Sequence, residues 1–351
     1  MSKPRIAVVG IGKLGSIHTN LVKCGELFDL IAIVEPVATA RHKATTDFAV
    51  LGVGHISEII DSIDCAIIAT PTLYHFEVAQ TLLKAGKHLL IEKPISVEVA
   101  QADELISLAE HNNLILQVGH VERFNPAFSL VAKHVARPIF INAIRTSNYS
   151  FRSTDIGVTL DLMIHDIDLI LSLVDSPIAA IDAVGSVVIG PHEDIANARL
   201  TFKNGTFANL TASRVNSEPQ RRMQIEGAQG STTIDLQNKS AYTIDVSERA
   251  NSLQMDLPND EKLKDLQTRF FVDYLPKTDV TIPERNPIGL EQQDFANAII
   301  NGGSVQVSGK DGRNALAVAI EIANQIRNKS FSVPHAIKGP HFATDTAKTR
   351  V

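Results

Sequence analysis

The 351-residue sequence holds only two cysteines, Cys24 and Cys65, which form neither a CxxC pair nor a disulfide framework. A disulfide-stapled fold is excluded, and both thiols are expected to be buried and inert, one in a helix and one at a strand edge. No stretch reaches the roughly 18 apolar residues of a membrane span. Nor does a charged leader with an apolar region and cleavage site precede the first apolar run at 5–9, so a cytoplasmic protein without a membrane partner is expected. Basic excess is missing too: a formal net charge of −6 and a pI of about 6.1 provide no broad positive field for phosphate backbones, which argues against nucleic acid as a partner. What is present is ordinary globular composition, 44% hydrophobic and 21% charged. At roughly 100–200 residues per domain, the length accommodates two.

From the start to about residue 120, β-branched runs at 5–9, 30–34, 65–69, 88–92 and 114–118 alternate with amphipathic stretches at 13–24, 74–85 and 97–112. That alternation predicts βαβ units around a doubly wound parallel sheet. Ser96 is the expected N-cap of the third helix, with Glu98 and Glu104 toward its N-terminal half. Beyond Pro126 the texture changes to strands at 140–146, 181–188, 196–202, 207–214 and 223–226, and the turn-type run Lys203-Asn204-Gly205-Thr206 predicts a hairpin. The fold class is therefore α/β, with a Rossmann domain at 1–122 and, at 123–351, an α+β domain with a large, open, mostly antiparallel sheet. The apolar segment 159–174 is too long for a strand and predicts a helix, as do 289–300 and 312–327; the last helix is expected to pack back on the Rossmann domain. The charged, aperiodic, Pro-containing stretch 253–287 reads as a long surface loop or arm, and fraying is expected from Lys338 onward.

Gly10-Ile11-Gly12-Lys13-Leu14-Gly15 follows a buried strand and opens a helix, the context in which GxGxxG acquires meaning. Gly10 permits the tight turn, Gly12 lets backbone reach a pyrophosphate, and Gly15 allows close helix–strand packing, with the helix N-terminus aimed at negative charge. Lys13 adds a nearby cation. Glu35 ends the second strand 20 residues after Gly15, where a carboxylate accepts from both ribose hydroxyls and repels a 2′-phosphate. NAD is thus expected over NADP. His18 and His75 lie on predicted helices, where a single histidine is more often a surface or core group than a ligand; for His75 the two readings weigh equally.

Ala69-Thr70-Pro71-Thr72 and Glu92-Lys93-Pro94 end successive strands, and strand C-termini border the ligand crevice of an open α/β sheet. A lysine there can hold a substrate hydroxyl and favour its ionisation as hydride leaves. Asp161 and His165 stand four apart inside the apolar helical segment Asp161-Leu162-Met163-Ile164-His165-Asp166-Ile167-Asp168, on one helix face, where the carboxylate can orient the imidazole. A buried ionic pair costs desolvation, which favours function over packing. The same spacing could seat zinc, but no further His/Cys cluster completes a site, so no metal is expected. Arg123 and Asn125, in Gly119-His120-Val121-Glu122-Arg123-Phe124-Asn125-Pro126, are polar enough to hold a sugar. Arg152 and Ser153 precede the Asp161 helix, and Arg214 ends a strand; each arginine is equally readable as one half of a surface salt bridge.

Taken in order, GxGxxG at 10–15, Ala-Thr-Pro at 69–71, Glu92-Lys93-Pro94 and Asp161-x-x-x-His165 resemble the glucose-fructose oxidoreductase/inositol dehydrogenase/rhizopine catabolism (Gfo/Idh/MocA) family over nearly the whole chain. The resemblance implies an NAD-dependent oxidoreductase acting on CH–OH groups, with Lys93 and His165 as catalytic pair, Asp161 in support and Lys93-Pro94 as a cis peptide. It further implies that Thr70, Pro71, His75, Glu92 and Lys93 join the glycine loop and Glu35 around the cofactor. Substrate contacts are implied for Lys93, Arg123, Asn125, Arg152, Ser153, Asp161 and His165. The second domain's sheet is implied to build a homodimer or homotetramer. Within the family, the runs 118–126, 152–155 and 161–168 look like the UDP-N-acetylglucosamine 3-dehydrogenase branch, whose members oxidise the sugar's 3-hydroxyl in lipid A biosynthesis. Thr72 departs from the asparagine that many members carry after Thr-Pro. Two alternatives stand beside this reading: a dehydrogenase of a free cyclitol or hexose, and a non-catalytic NAD-binding redox sensor, which has no reason to keep Lys93, Asp161 and His165.

Overall fold

The computed structural model describes residues 3–151, 156–189, 191–252 and 260–329. The chain groups into two units, Met1–Phe124 with Arg285–Val318, and Asn125–Glu284 with Ala319–Val351. The expected fraying from Lys338 onward lies outside the described residues.

In the first unit, strands β1 (Arg5–Val9), β2 (Asp29–Val34), β3 (Leu51–Val53), β4 (Cys65–Ile68), β5 (His88–Glu92) and β6 (Leu116–Gly119) form a six-stranded sheet of order β3-β2-β1-β4-β5-β6. Every pairing is parallel. Parallel strands covered on both faces read as continuous apolar runs, and Ile6, Val8, Ala66 and Ile67 are fully buried. The strand order reverses between β1 and β4, the switch point at which open α/β sheets bind ligands beyond the strand C-termini. Helix Lys13–Cys24 follows the glycine loop, and helices His75–Lys84 and Val99–His111 follow β4 and β5. Glu98, not Ser96, caps the last of these; Ser96 Oγ instead donates to the Glu98 carbonyl at 2.8 Å.

Helix Ala38–Phe48 and β3 escaped the sequence patterns: the helix buries only Ala44, and β3 has three residues. The first unit also recruits helix Pro287–Asn301, which starts at a capping Asn286 followed by Pro287. Its Phe295 and Ala296 complete a core cluster with Ile6, Val8, Val22, Phe28, Cys65, Ile67 and Leu90, each large aliphatic contributing about 1.5–3 kcal/mol on burial. Cys65 is buried there, and burial pushes its thiol far up. Cys24, expected to be buried, is exposed at the end of its helix.

In the second unit, β7 (Pro138–Thr146), β8 (Ile178–Ser186), β9 (Ile195–Phe202), β10 (Phe207–Ser213), β11 (Gln220–Gly227), β12 (Gly230–Asp235), β13 (Ser240–Asp245) and β14 (Lys277–Val280) form an eight-stranded sheet of order β14-β13-β12-β11-β7-β10-β9-β8. Only β7 and β10 pair in parallel. The predicted hairpin joins β9 to β10, with Gly205 at φ +90° supplying the turn. Strict alternation along β9 turns Ala196, Ala198, Leu200 and Phe202 into the core. On the opposite face Asn197 bonds Thr211 and Arg199 bonds Asn209. The stretch expected to be a loop at 253–287 is largely structured where described: helix Asp260–Arg269, a wide turn at Phe270–Tyr274 and edge strand β14 on β13. Pairing with β13 overrides the weak local pattern of Lys277–Val280.

Helix Ile164–Leu173 packs on β7 and β10. Beneath it Arg145 of β7 grips Asp166 through Nε and Nη2 at 2.9 and 2.8 Å, with both side chains buried. Removing one partner strands a buried charge, so Arg145→Ala is expected to cost about 3–5 kcal/mol. The midpoint of chemical unfolding checks this; an unchanged midpoint would mean the pair does not hold the helix.

Candidate active site

The glycine loop fits its three assigned tasks. A Cβ on Gly10, at φ +88°, would lie 2.8 Å from the Ala69 oxygen. One on Gly15 would come within 1.9 Å of the Gly10 oxygen, so only glycine lets helix Lys13–Cys24 approach the loop. A Cβ on Gly12 would meet nothing within 4 Å, so that side of the residue faces open space where a ligand can approach. The helix starts without a side-chain cap or an acidic first-turn residue, so its amides and positive dipole end suit an anion. Lys13 and Leu14 are exposed in that first turn.

Glu35, at the end of β2, accepts from the Ile11 and Val37 amides at 3.2 and 3.0 Å, which aims its carboxylate at the loop. Arg41, a cation close to Glu35, donates to the Glu35 and Pro36 carbonyls at 2.6 and 3.1 Å, so its guanidinium is engaged by main chain.

The strand ends are braced by two histidines. His75 is buried, with Nε2 2.9 Å from the Thr70 carbonyl and Nδ1 2.9 Å from that of Pro94, so one ring spans the ends of β4 and β5. Burial lowers its pKa, favouring the neutral ring. His18, fully buried, donates Nε2–H to Glu92 Oε1 at 2.8 Å. Lys93 is half-buried beside Glu92, and its bond to Pro94 is cis. Pro71 is exposed, whereas the Thr70 hydroxyl is buried with no hydrogen-bond partner among the described residues. Arg123 is buried in the turn Val121–Phe124, 3.6 Å from Asp311.

In the second unit, Asn125 caps helix Pro126–Val131, accepting from the Ala127 amide and donating to the Leu236 carbonyl at 3.1 and 3.2 Å. Asp161 lies in a π-helical turn, Thr159–Met163, and His165 in the α-helix that continues it. A regular helix was expected; the wide turn is a departure often found at functional sites. Both side chains are half-buried rather than fully so, which relaxes the desolvation argument. The deeply buried acids of this segment are Asp166 and Asp168, and the sequence did not single out the Arg145 partner of Asp166. Arg214, readable from the sequence as one half of a surface salt bridge, is buried and pairs with Asp194 at 2.7 Å. Arg152 and Ser153 lie outside the described residues.

Open backbone at Gly12, an uncapped helix start, Glu35 and an unsatisfied Thr70 hydroxyl together fit a bound NAD. Family models agree. Residues 4–120 match the GFO_IDH_MocA model, an oxidoreductase family with an NAD-binding Rossmann fold, and 134–233 match the GFO/IDH/MocA C-terminal domain. The chain belongs to the GFO/IDH/MocA family. This member is 32% identical, over 91% of its length and 96% of the relative's, to the UDP-N-acetylglucosamine 3-dehydrogenase of Acidithiobacillus ferrooxidans. Its structure matches that protein's with a TM-score of 0.82 at 30% identity, covering 93% and 99% of the two chains. It is 26% identical to the scyllo-inositol 2-dehydrogenase (NAD(+)) of Bacillus subtilis over 92% of its length and 94% of the relative's. This is an NAD-dependent oxidoreductase, which retires the non-catalytic sensor. Among the described residues no helix is long and apolar enough to cross a membrane.

Glu35→Ala should weaken NAD binding about 10- to 100-fold, the worth of a charge-assisted hydrogen bond, and narrow the preference over NADP. Calorimetric titration with both nucleotides checks this; unchanged affinities would remove Glu35 from the ribose site.

Proposed function

We propose that this oxidoreductase oxidises a secondary hydroxyl of a sugar, the 3-hydroxyl of a nucleotide sugar such as UDP-N-acetylglucosamine. The observation that carries the reading is the extent of the likeness to the Acidithiobacillus enzyme, which runs through both family domains rather than the Rossmann half alone. Bound NAD supplies the hydride acceptor. His165 takes the hydroxyl proton, Asp161 orients the imidazole, and Lys93 steadies the alkoxide as its carbon gives up hydride. Arg123, Asn125, Arg152 and Ser153 are the proposed sugar contacts. Arg123 and Asn125 also hold local structure, so their substitution should affect stability as well as KM. The likeness to inositol dehydrogenases supports a second substrate class, a free cyclitol.

NADH formation with UDP-N-acetylglucosamine, inositol and glucose tests the reading, and turnover of only a free polyol would select the second class. Lys93→Ala should lower kcat about 10²–10⁴-fold with little change in NAD affinity. His165→Asn should lose a comparable factor together with the acidic limb of the pH–rate profile. A variant matching wild type in both would clear that residue of its role.

A further inference from the structure

Behind Lys93 the first unit buries a cluster with more carboxylate than it can charge. Glu92 and Glu291 are 8% and 0% exposed, His18 is fully buried, and their ligand-type atoms all lie within 4.8 Å of one another. Hydrogen bonds are shared unequally. Glu92 accepts from His18 Nε2 at 2.8 Å and from the Lys93 amide at 3.3 Å, whereas neither oxygen of Glu291 has a hydrogen-bond partner among the described residues. Gln117 Nε2 donates to the Glu291 main-chain carbonyl at 3.1 Å.

Gln292 settles the state of the ring. Its Nε2 donates to His18 Nδ1 at 3.0 Å and to the His18 carbonyl at 3.3 Å, so the amide nitrogen is fixed against two acceptors. Nδ1 therefore carries a lone pair, and the single ring proton sits on Nε2, pointing at Glu92. That tautomer has no free nitrogen for a metal ion. Seating one on Nε2 would require the amide to turn over and face its oxygen to the His18 carbonyl.

We propose that Glu291 keeps its proton and acts as a positioning residue, leaving Glu92 as the one charged carboxylate behind Lys93. Two like charges this close in a dry site cannot both form, and the one with donors wins. Burial and the nearby Glu92 and Asp294 push Glu291 well above the usual carboxyl range. Burial also raises Glu92, but the His18 hydrogen bond and the Lys93 charge outweigh it and hold that group below its usual range. Other charges on the elements packed against helix Pro287–Asn301 are Glu122 and Arg123 of the turn Val121–Phe124, and Lys13 and Lys23 of helix Lys13–Cys24. Arg123 is answered by Asp311. A second negative charge at Glu291 would compete with Glu92 for the His18 proton and loosen the strand end that presents Lys93. The effect on turnover rests on the catalytic role proposed for Lys93; the proton itself does not.

Glu291→Gln separates the two. Below the ordinary Glu range, about pH 4, the folded and unfolded chains both carry the proton, and the variant should match wild type. As pH rises the unfolded chain releases a proton that the folded chain retains, so wild type loses stability until Glu291 itself ionises, at up to about tenfold in the folded/unfolded ratio per pH unit. Glutamine has no such loss, so its unfolding temperature should climb above wild type as pH increases. A variant less stable than wild type at neutral pH, or a stoichiometric divalent metal in the purified protein that the variant loses, would overturn the proposal. In kinetics, Glu291→Gln should move the alkaline limb of the kcat profile upward by about one pH unit without changing KM for NAD, while Glu291→Asp retains the limb. An unmoved limb would overturn the positioning role. If no sugar or cyclitol is turned over by either protein, the proposed function fails while the stability comparison still decides the proton.

Discussion

One hydrogen bond, from His18 to Glu92, ties together the parts of the first unit that matter for chemistry. His18 sits one turn into the helix that the glycine loop starts, and Glu92 is the last residue of β5, next to Lys93. The bond can form only because Gly15, lacking a Cβ, lets that helix approach the loop. A residue chosen for backbone reasons thereby fixes the distance between a cofactor loop and a lysine on another strand. The His75 ring adds a second contact, lying between the Thr70 and Pro94 carbonyls with its single N–H serving one of them at a time. A site held this way loses little entropy on binding, because its polar groups are already placed.

The second unit solves the same problem with an ion pair. Helix Ile164–Leu173 is apolar enough to slide or rotate on a sheet, and non-directional packing alone would not fix its azimuth. Two parallel hydrogen bonds from Arg145 to Asp166 do so, because a guanidinium and a carboxylate meet well in one plane. His165 is the next residue back, so locking Asp166 inward turns His165 toward partial exposure. The preceding π-helical turn then sets where Asp161 emerges relative to it.

Sequence periodicity placed helix Lys13–Cys24 and strands Arg5–Val9 and His88–Glu92 with their observed bounds, because all three carry apolar signals with glycine or proline close to their ends. Helix Ala38–Phe48 was not, having almost no buried face, and β14 was not, because its strand character comes from β13 rather than from its own residues. Site residues divide along the same line. The residues proposed for the cofactor site, Gly10, Gly12, Gly15 and Glu35, are picked out by local spacing alone. His18 carried a faint signal, three residues past Gly15 on the buried helix face, but its partner Glu92 is 74 residues away. Arg145, Gln292 and Glu291 had no signal at all, since a buried charge announces itself only once its surroundings are known.

The acids make the point most clearly, because four carboxylates of similar chemistry are given four different tasks by the donors around them. Glu35 accepts two amides beside the glycine loop, where the proposed cofactor site would place a ribose. Asp166 is saturated by one guanidinium and becomes a strut. Glu92 accepts an imidazole N–H and stays charged in the interior, while Glu291, equally buried but without donors, is left to hold a proton. Charge in this protein therefore follows from the count of donors that each carboxylate meets rather than from depth. The charge that depth would ordinarily forbid is retained where it adjoins the lysine at the end of β5.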